Sequence, residues 1–455
     1  EAARYAVSRG LEVKLLIDDN DVTIAGHPSQ YLPGFDVGRT LRGHGLTVDY
    51  GDGEDIAALY GRIRSVLLSE GPAALINKRL MAPLIKGIEG TPKGHDVIPV
   101  DMAVDYLEER GYERCVAQLK SGSPQKTKII RKGSSEETGK NRDSFGSILC
   151  ELIQTLENPA EQIMVVDSDL EGSCGLHHIR KSCPDVYVAG GIMERNNFSV
   201  AAGFGSESGR QGVYGTFAAF LEMVVSEITM ARLNQANVLA HFSHSGVDDM
   251  ADNTCHFGIN NFFADNGLAE GDLTRLYFPA DVHQLRAMLA RVFNDTGLRF
   301  IFSTRSATPF ILDEQGQQIY GEGYEFEPGK DEVIRTGQAG YLVSYGEMLY
   351  RALDAVERLR ESGLDVGLIN KPTLNLVDEE ALQAYGGTGF VLVVESQNIK
   401  TGLGSRLGSW LLERGLTPKF ATMGTTREGH GGLGEQVEYQ NLETAAIMER
   451  VKGLI

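Results

Sequence analysis

The sequence predicts an α/β protein: successive doubly wound, mostly parallel sheets, followed by a C-terminal α/β module. Two observations carry this. Short apolar runs that read as strands alternate with amphipathic stretches that read as helices along most of the chain. The predicted strands also end in glycine, acid, amide or histidine clusters, as strands do when their carboxyl ends line a crevice. A third observation divides the chain. Polar segments rich in Ser, Gly and Lys near Lys120–Lys140, and in Gly and Glu near Tyr320–Gly337, have the composition of linkers. The predicted organisation is therefore residues 1–118, a linker at 119–140, a domain at 141–318, a second linker at 319–337, and a last domain at 338–455.

Taken in order, Glu1–Arg9 reads as part of an amphipathic helix, and a strand follows at Val13–Ile17. There is no initiator methionine, so the chain is expected to begin inside a domain, with an upstream segment missing. The run Leu15-Leu16-Ile17-Asp18-Asp19-Asn20-Asp21-Val22 is an apolar strand ending in oxygen donors. Hard cations take such ligands, although the same pattern serves as an ordinary turn. A helix at Asp55–Leu68 and a strand at Ala73–Asn77 come next. They lead into a loop of Lys, Gly and Pro that carries His95, a composition typical of functional loops.

The densest cluster of chemistry lies in the second predicted domain. Helix Asn141–Leu156 starts with Arg142. Strand Gln162–Asp167 ends in Asp167-Ser168-Asp169-Leu170, with Ser173 just beyond. Strand Val186–Ala189 runs into Gly190-Gly191-Ile192-Met193-Glu194. Phe217 and Phe220 follow a third strand. Strand Val238–Phe242 delivers His244-Ser245-Gly246, and Asp252 and His256 come shortly after. The alternation continues to Ser303-Thr304-Arg305. Singly, each residue has a structural reading: a first-turn acid favoured by the helix dipole, a packed phenylalanine, a satisfied histidine. Together, in this order and at successive strand ends, they form an active-site constellation.

The whole set resembles the pyrimidine-binding domain of transketolases, which are thiamine-diphosphate enzymes. Asp167-Ser168-Asp169-Leu170, Gly191-Ile192-x-Glu194, Thr216-Phe217-x-x-Phe220, His244-Ser245-Gly246 and Asp252-x-x-x-His256 carry the match. The resemblance extends in order over nearly the whole chain, and it implies a thiamine-diphosphate-binding fold. Glu194 would activate the cofactor through its aminopyrimidine. Phe220 would stack on the pyrimidine ring with Phe217 nearby, and Asp169 would also line that site. Asn20 and the Val22 carbonyl would hold Mg²⁺ or Ca²⁺ at the diphosphate. Arg142, Ser173, His244 and Arg305 would form a pocket for the terminal phosphate of a sugar, a set of donors that suits a phosphate dianion. His95, His256 and Asp252 would face the reacting sugar. Residues 1–118 would be the C-terminal part of the diphosphate domain. The other half of its metal signature, a Gly-Asp-Gly, is expected upstream. Gly51-Asp52-Gly53 lies on the wrong side of Asn20 to supply it.

The implied reaction moves a two-carbon ketol unit from a ketose phosphate to an aldose phosphate. The implied assembly is a homodimer with active sites at the interface. Alternatives are an enzyme like 1-deoxyxylulose-5-phosphate synthase, one like the E1 component of 2-oxo acid dehydrogenases, or a truncated non-catalytic dimer scaffold. The phosphate-binding set argues against E1, whose substrate is pyruvate. One departure concerns the acceptor. Transketolases usually carry Asp-Gly-x-Thr-His-Gln where this chain has Asp252-Asn253-Thr254-Cys255-His256-Phe257.

Composition narrows the setting. A net charge of −19 excludes nucleic acid and anionic membrane as principal partners, so an anionic substrate needs a local basic pocket. Five cysteines with no CxxC spacing read as free thiols of a reducing, cytoplasmic compartment. No apolar run is long enough to span a bilayer. In the last domain, Asn370-Lys371-Pro372 resembles the transketolase C-terminal domain. Gly402-x-Gly404 opens a helix there, a pattern open to either anion binding or close packing.

Overall fold

A computed structural model describes residues 2–95, 97–122, 130–248, 256–268, 272–429 and 435–455. It divides into two compact units, residues 1–127 and 128–455.

The first unit is built on a three-stranded parallel sheet of order β1-β3-β2: β1 (Lys14–Asp19), β2 (Thr47–Asp52) and β3 (Ala73–Lys78). The central strand β3 is buried through Ala73–Asn77, which explains its unbroken apolar sequence. Helix Ile56–Leu68 packs on β2 and β3 and starts at Asp55, whose carboxylate caps the Ala58 amide.

The second unit holds two larger sheets. The six-stranded sheet, β6-β5-β7-β8-β10-β9, is wholly parallel: β5 (Ile163–Asp167), β6 (Tyr187–Ala189), β7 (Gln211–Phe217), β8 (Val238–Ser243), β9 (Arg275–Tyr277) and β10 (Leu298–Phe302). From β5 the chain turns to one side to make β6, then crosses to the other side to make β7. The strand order therefore reverses between β5 and β7, and a crevice opens there at the carboxyl ends. The five-stranded sheet has order β12-β14-β13-β15-β16: β12 (Glu332–Arg335), β13 (Gly340–Ser344), β14 (Val366–Asn370), β15 (Phe390–Asn398) and β16 (Lys419–Thr425). Only β12 is antiparallel to its neighbour. Its order reverses between β13 and β15.

Both predicted linkers need correction. Within 119–140, Ser134–Gly139 form a strand, β4, paired antiparallel with β11 (Thr308–Ile311). Residues 319–337 are folded into the core of the second unit. Tyr320 is 3% exposed, and its hydroxyl donates to Glu332 Oε2 at 2.9 Å while accepting from Asn370 Nδ2 at 2.7 Å. Lys371 and Asp331 pair at 2.6 Å with both side chains 1% exposed. The segment is polar because its polar groups satisfy one another inside the structure, a pattern that composition alone reads as solvent-facing. Residues 128–455 consequently pack as one unit.

Gly402 and Gly404 are resolved in favour of close packing. The amides of Leu403 and Gly404 donate to the buried carboxylate of Glu395 at 2.8 and 2.9 Å, and a Cβ on Gly402 would collide with it. The start of helix Leu403–Glu413 already holds an anion from its own chain.

Candidate active site

The predicted site residues of the second unit gather at the carboxyl end of the six-stranded sheet. β5 ends in Asp167, 1% exposed, whose Oδ1 accepts the Leu170 amide at 3.2 Å. Burial pushes this carboxyl up to about 7, and the nearby Glu171 and Asp169 add to the effect. Asp169 is buried and sits in the left-handed region at φ 65°, a strain that a non-glycine residue retains only where its surroundings hold it.

Beyond β6 the chain makes the Gly190-Gly191 turn, which brings Glu194 to the start of helix Glu194–Gly205, where it is 7% exposed. Asn197 fastens this turn to the exit of β5. Its Nδ2 donates to Gly191 O at 2.9 Å and to Ser168 Oγ at 3.2 Å, and the Gly190 amide donates to Asp167 O at 2.9 Å. A Cβ on Gly190 would collide with the Asn197 amide, so glycine is required there.

Phe217 ends β7. Its ring lies 4.1 Å from His244, 5.1 Å from His256 and 5.8 Å from Phe220, centroid to centroid. The edge of Phe220 meets His256 at 6.4 Å. The two phenylalanines and two histidines thus form one aromatic wall. His244 follows β8 in the left-handed region (φ 59°), and its Nδ1 lies 3.0 Å from Ser243 Oγ. Burial holds His244 well below the usual histidine range. The charges of Arg142, Arg305 and His256 push the same way, so the imidazole is neutral at physiological pH.

Arg142, in the first turn of helix Asn141–Ile153, donates from Nε to Arg305 O at 3.0 Å. From Nη1 it donates to Gly172 O at 3.2 Å and to Ser173 O at 3.4 Å. It therefore ties together the segment bearing Ser173 and the exit of β10 bearing Arg305. The structure thus places Arg142 against the backbone of Ser173 and Arg305, and the charges of both arginines act on His244. Asp252 lies outside the described residues.

Three supporting residues escaped the sequence reading. His241 is fully buried and stacks on Phe145 at 4.1 Å. Its Nδ1 donates to Cys174 O at 3.1 Å, so Nε2 accepts from Ser303 Oγ at 2.8 Å. Burial lowers it to about 3. Asp248 accepts from Thr304 Oγ1 at 2.9 Å and from the Ser306 amide at 2.7 Å, which pins the turn after His244 to the exit of β10. Asn197 is the third. Only His241 left a signal: a histidine inside an otherwise apolar strand.

The remaining predicted residues belong to the first unit. Asn20, Asp21 and Val22 line a cleft of ≈ 670 Å³ together with Asp18, Asp19, Tyr50 and Lys78. Asn20 Oδ1 accepts the Val22 amide at 2.9 Å, which leaves one lone pair of that oxygen for a cation. Asp21 is directed to Ser29, accepting its amide at 2.8 Å and its hydroxyl at 2.6 Å. His95 is exposed at the end of the turn Pro92–His95 and is not among the residues lining this cleft.

Residues 329–447 match the family model described as the transketolase C-terminal domain. The chain is 24% identical over 314 residues to a putative transketolase C-terminal section of Methanocaldococcus jannaschii, covering 68% of this chain and 94% of that one. It is 22% identical over 438 residues to the transketolase of Rattus norvegicus, covering 90% of this chain and 66% of that one. It thus spans about two thirds of the rat protein. Among solved structures, a split-gene transketolase described as an inactive beta4 tetramer superposes with a TM-score of 0.58. That match has 26% identity and covers 69% of this chain and 97% of that one.

Residues 329–447 belong to the transketolase C-terminal domain family, and the chain as a whole is similar to transketolases.

Transketolases are generally dependent on thiamine diphosphate. In this chain the donor set at the six-stranded sheet fits the aminopyrimidine end of such a cofactor: a buried carboxyl, two aromatic rings and neutral imidazole. The amide and carbonyl oxygens at Asn20 and Val22 fit a hard divalent cation. No described helix is long and apolar enough to cross a membrane.

Proposed function

We propose that this chain takes part in transferring a two-carbon ketol unit from a ketose phosphate to an aldose phosphate, with thiamine diphosphate and Mg²⁺ or Ca²⁺ bound. The observation that carries the reading is the meeting of Arg142 and Arg305 beside neutral His244, at the same strand ends that present Glu194, Phe217 and Phe220. An acidic chain that concentrates two guanidiniums at one crevice has built a site for an anionic group.

Bound thiamine diphosphate supplies a nucleophilic carbon and an electron sink. The protein's part is to hold and move protons. Glu194 would hydrogen-bond the aminopyrimidine and exchange a proton with it. Phe220 would stack on the pyrimidine ring with Phe217 nearby, and Asp169 would line the same site. Asn20 and Val22 would hold the cation. Arg142, Ser173 and Arg305 would bind the donor phosphate. Neutral His244 would donate a hydrogen bond without adding a third positive charge. His256 and His95 would exchange protons with the sugar hydroxyls, with Asp252 beside them. We further propose a homodimer with interfacial sites, in the cytoplasm.

A second reading has support of its own. The relatives include a C-terminal section and a split-gene protein described as inactive, each covered almost entirely by this chain. Under that reading the chain is a subunit that completes its site with another polypeptide.

Calorimetric titration with thiamine diphosphate and Mg²⁺, followed by turnover of phosphorylated donors, separates the two. Saturable Mg²⁺-dependent binding near one per chain supports the first reading. Glu194→Gln should then keep binding within about tenfold while lowering turnover ~10²-fold or more. Unchanged turnover in Glu194→Gln sinks the assignment, and no binding by the chain alone selects the second reading. Turnover of pyruvate in place of a ketose phosphate would point to the synthase-like or E1-like chemistry.

A further inference from the structure

The most telling cluster of ligand atoms outside the crevice joins two helices. Asp143 is in the first turn of helix Asn141–Ile153, and His177 and His178 open helix His177–Ser182. The two imidazole rings lie 4.0 Å apart. Asp143 Oδ1 is 3.4 Å from His178 Nε2 and 3.7 Å from His177 Nε2, and the three ligand atoms all fall within 4.8 Å of one another. Four ligands at 2.0–2.1 Å around a tetrahedral Zn²⁺ are separated by roughly 3.3 Å. The observed spacings are close to that, with a slight inward movement required.

Two further observations point to a cation. His177 Nδ1 lies 3.4 Å from Glu171 O, and a carbonyl only accepts, so the proton is on Nδ1 and the Nε2 lone pair faces the cluster. Metal-ligating histidines are typically oriented by such a carbonyl. His178 Nε2 is buried and has no hydrogen-bond partner, an arrangement that a metal would satisfy. Arg180, on the same helix, is already paired with Glu171 at 2.6 Å. The three side chains are 34–44% exposed, so the cluster lies near the protein surface.

We propose that Asp143, His177 and His178 form a Zn²⁺ site that braces the helix start carrying Arg142. Two imidazoles and one carboxylate, with one open position, suit Zn²⁺ among divalent ions and are a poor set for Mg²⁺. The proposal does not depend on the reaction assigned above.

The test uses the full chain, stripped with a chelator and titrated with Zn²⁺ in excess Mg²⁺, which occupies sites made of oxygen alone. The wild type should bind one more Zn²⁺ per chain than H177A/H178A. Asp143→Asn should weaken that binding by about tenfold or more. Co²⁺ in place of Zn²⁺ should give the visible absorption of a tetrahedral site in the wild type and lose it in the double variant. Equal stoichiometry and affinity in wild type and H177A/H178A would overturn the proposal, as would a wild-type chain that takes up no Zn²⁺. If the alanine variant does not fold, H177Q/H178Q keeps side-chain bulk and is read by the same criteria.

Discussion

The carboxylate of Glu347 lies under Gly246: it accepts the hydroxyl of Ser396, and a Cβ on Gly246 would lie only 2.6 Å from its Oε1. Gly246 follows His244 at the end of β8, whereas Glu347 follows β13 and Ser396 lies near the carboxyl end of β15, where the order of the second sheet reverses. The crevice that such a sheet offers to a ligand is thus occupied by Ser245, Gly246 and Gly258 of the same chain. Gln397 Nε2 donates there to Ser245 Oγ at 3.2 Å and to Gly258 O at 3.3 Å. The C-terminal sheet supports the turn that presents His244.

Complete burial pushes the Glu347 carboxyl up to about 8, partly offset by the Ser396 hydroxyl and Arg351. Folded protein therefore keeps this proton where the unfolded chain has lost it. Stability from this group falls as pH rises from the ordinary carboxyl range toward about 8. Glu347→Gln, which mimics the protonated acid, should melt higher than wild type at about pH 8 and show little difference at about pH 5. Melting curves that stay parallel at both pH values would contradict this.

Gly246→Ala meets two obstacles. The backbone is left-handed at φ 80°, and the space for a methyl is taken by Ser396 and Glu347. A loss of ~2 kcal/mol or more is expected in denaturant unfolding, with kcat/KM falling because the same turn carries His244. An alanine variant as stable as wild type would show that the contact is loose.

Arg305→Ala should raise KM for a phosphorylated donor roughly tenfold or more, because hydrogen bonds to charged groups are worth ~1.5–3 kcal/mol. It should have little effect on hydroxypyruvate, which has no phosphate. Equal effects on both donors would make Arg305 a structural residue that serves through the carbonyl held by Arg142.

The buried Lys371–Asp331 pair tests whether residues 319–337 belong to the core. Lys371→Met leaves Asp331 without its cation and should cost ~3–5 kcal/mol. Adding Asp331→Leu should recover most of that loss, measured by urea unfolding. A negligible single-variant effect would mean that the segment is held elsewhere.

The strand-end motifs were legible in the sequence because each is local. An apolar strand followed by Gly-Gly and Glu194, or by His244-Ser245-Gly246, states its own geometry through side-chain period and the residues that tolerate a tight turn. The parallel character followed from the alternation of strands and helices, and the family from motif order. The functions of His241, Asn197 and Asp248 were not legible, because each bonds a distant segment: the Cys174 carbonyl and Ser303 hydroxyl, the Ser168 hydroxyl, and the Thr304 hydroxyl and Ser306 amide. Residues 319–337 misled for the same reason, since polar composition reads as solvent-facing unless the partners are known.

By itself, then, the sequence determined the alternating α/β pattern, the glycine turns and the order in which reactive side chains appear. These depend on neighbours a few residues away. Tertiary structure alone decided that Arg142 rests on the Arg305 carbonyl, that the charges of both arginines act on a neutral His244, and that Tyr320, Glu332 and Asn370 satisfy one another in the core. Those outcomes depend on burial and on partners 12 to 163 residues apart, which only the folded chain brings within hydrogen-bond reach.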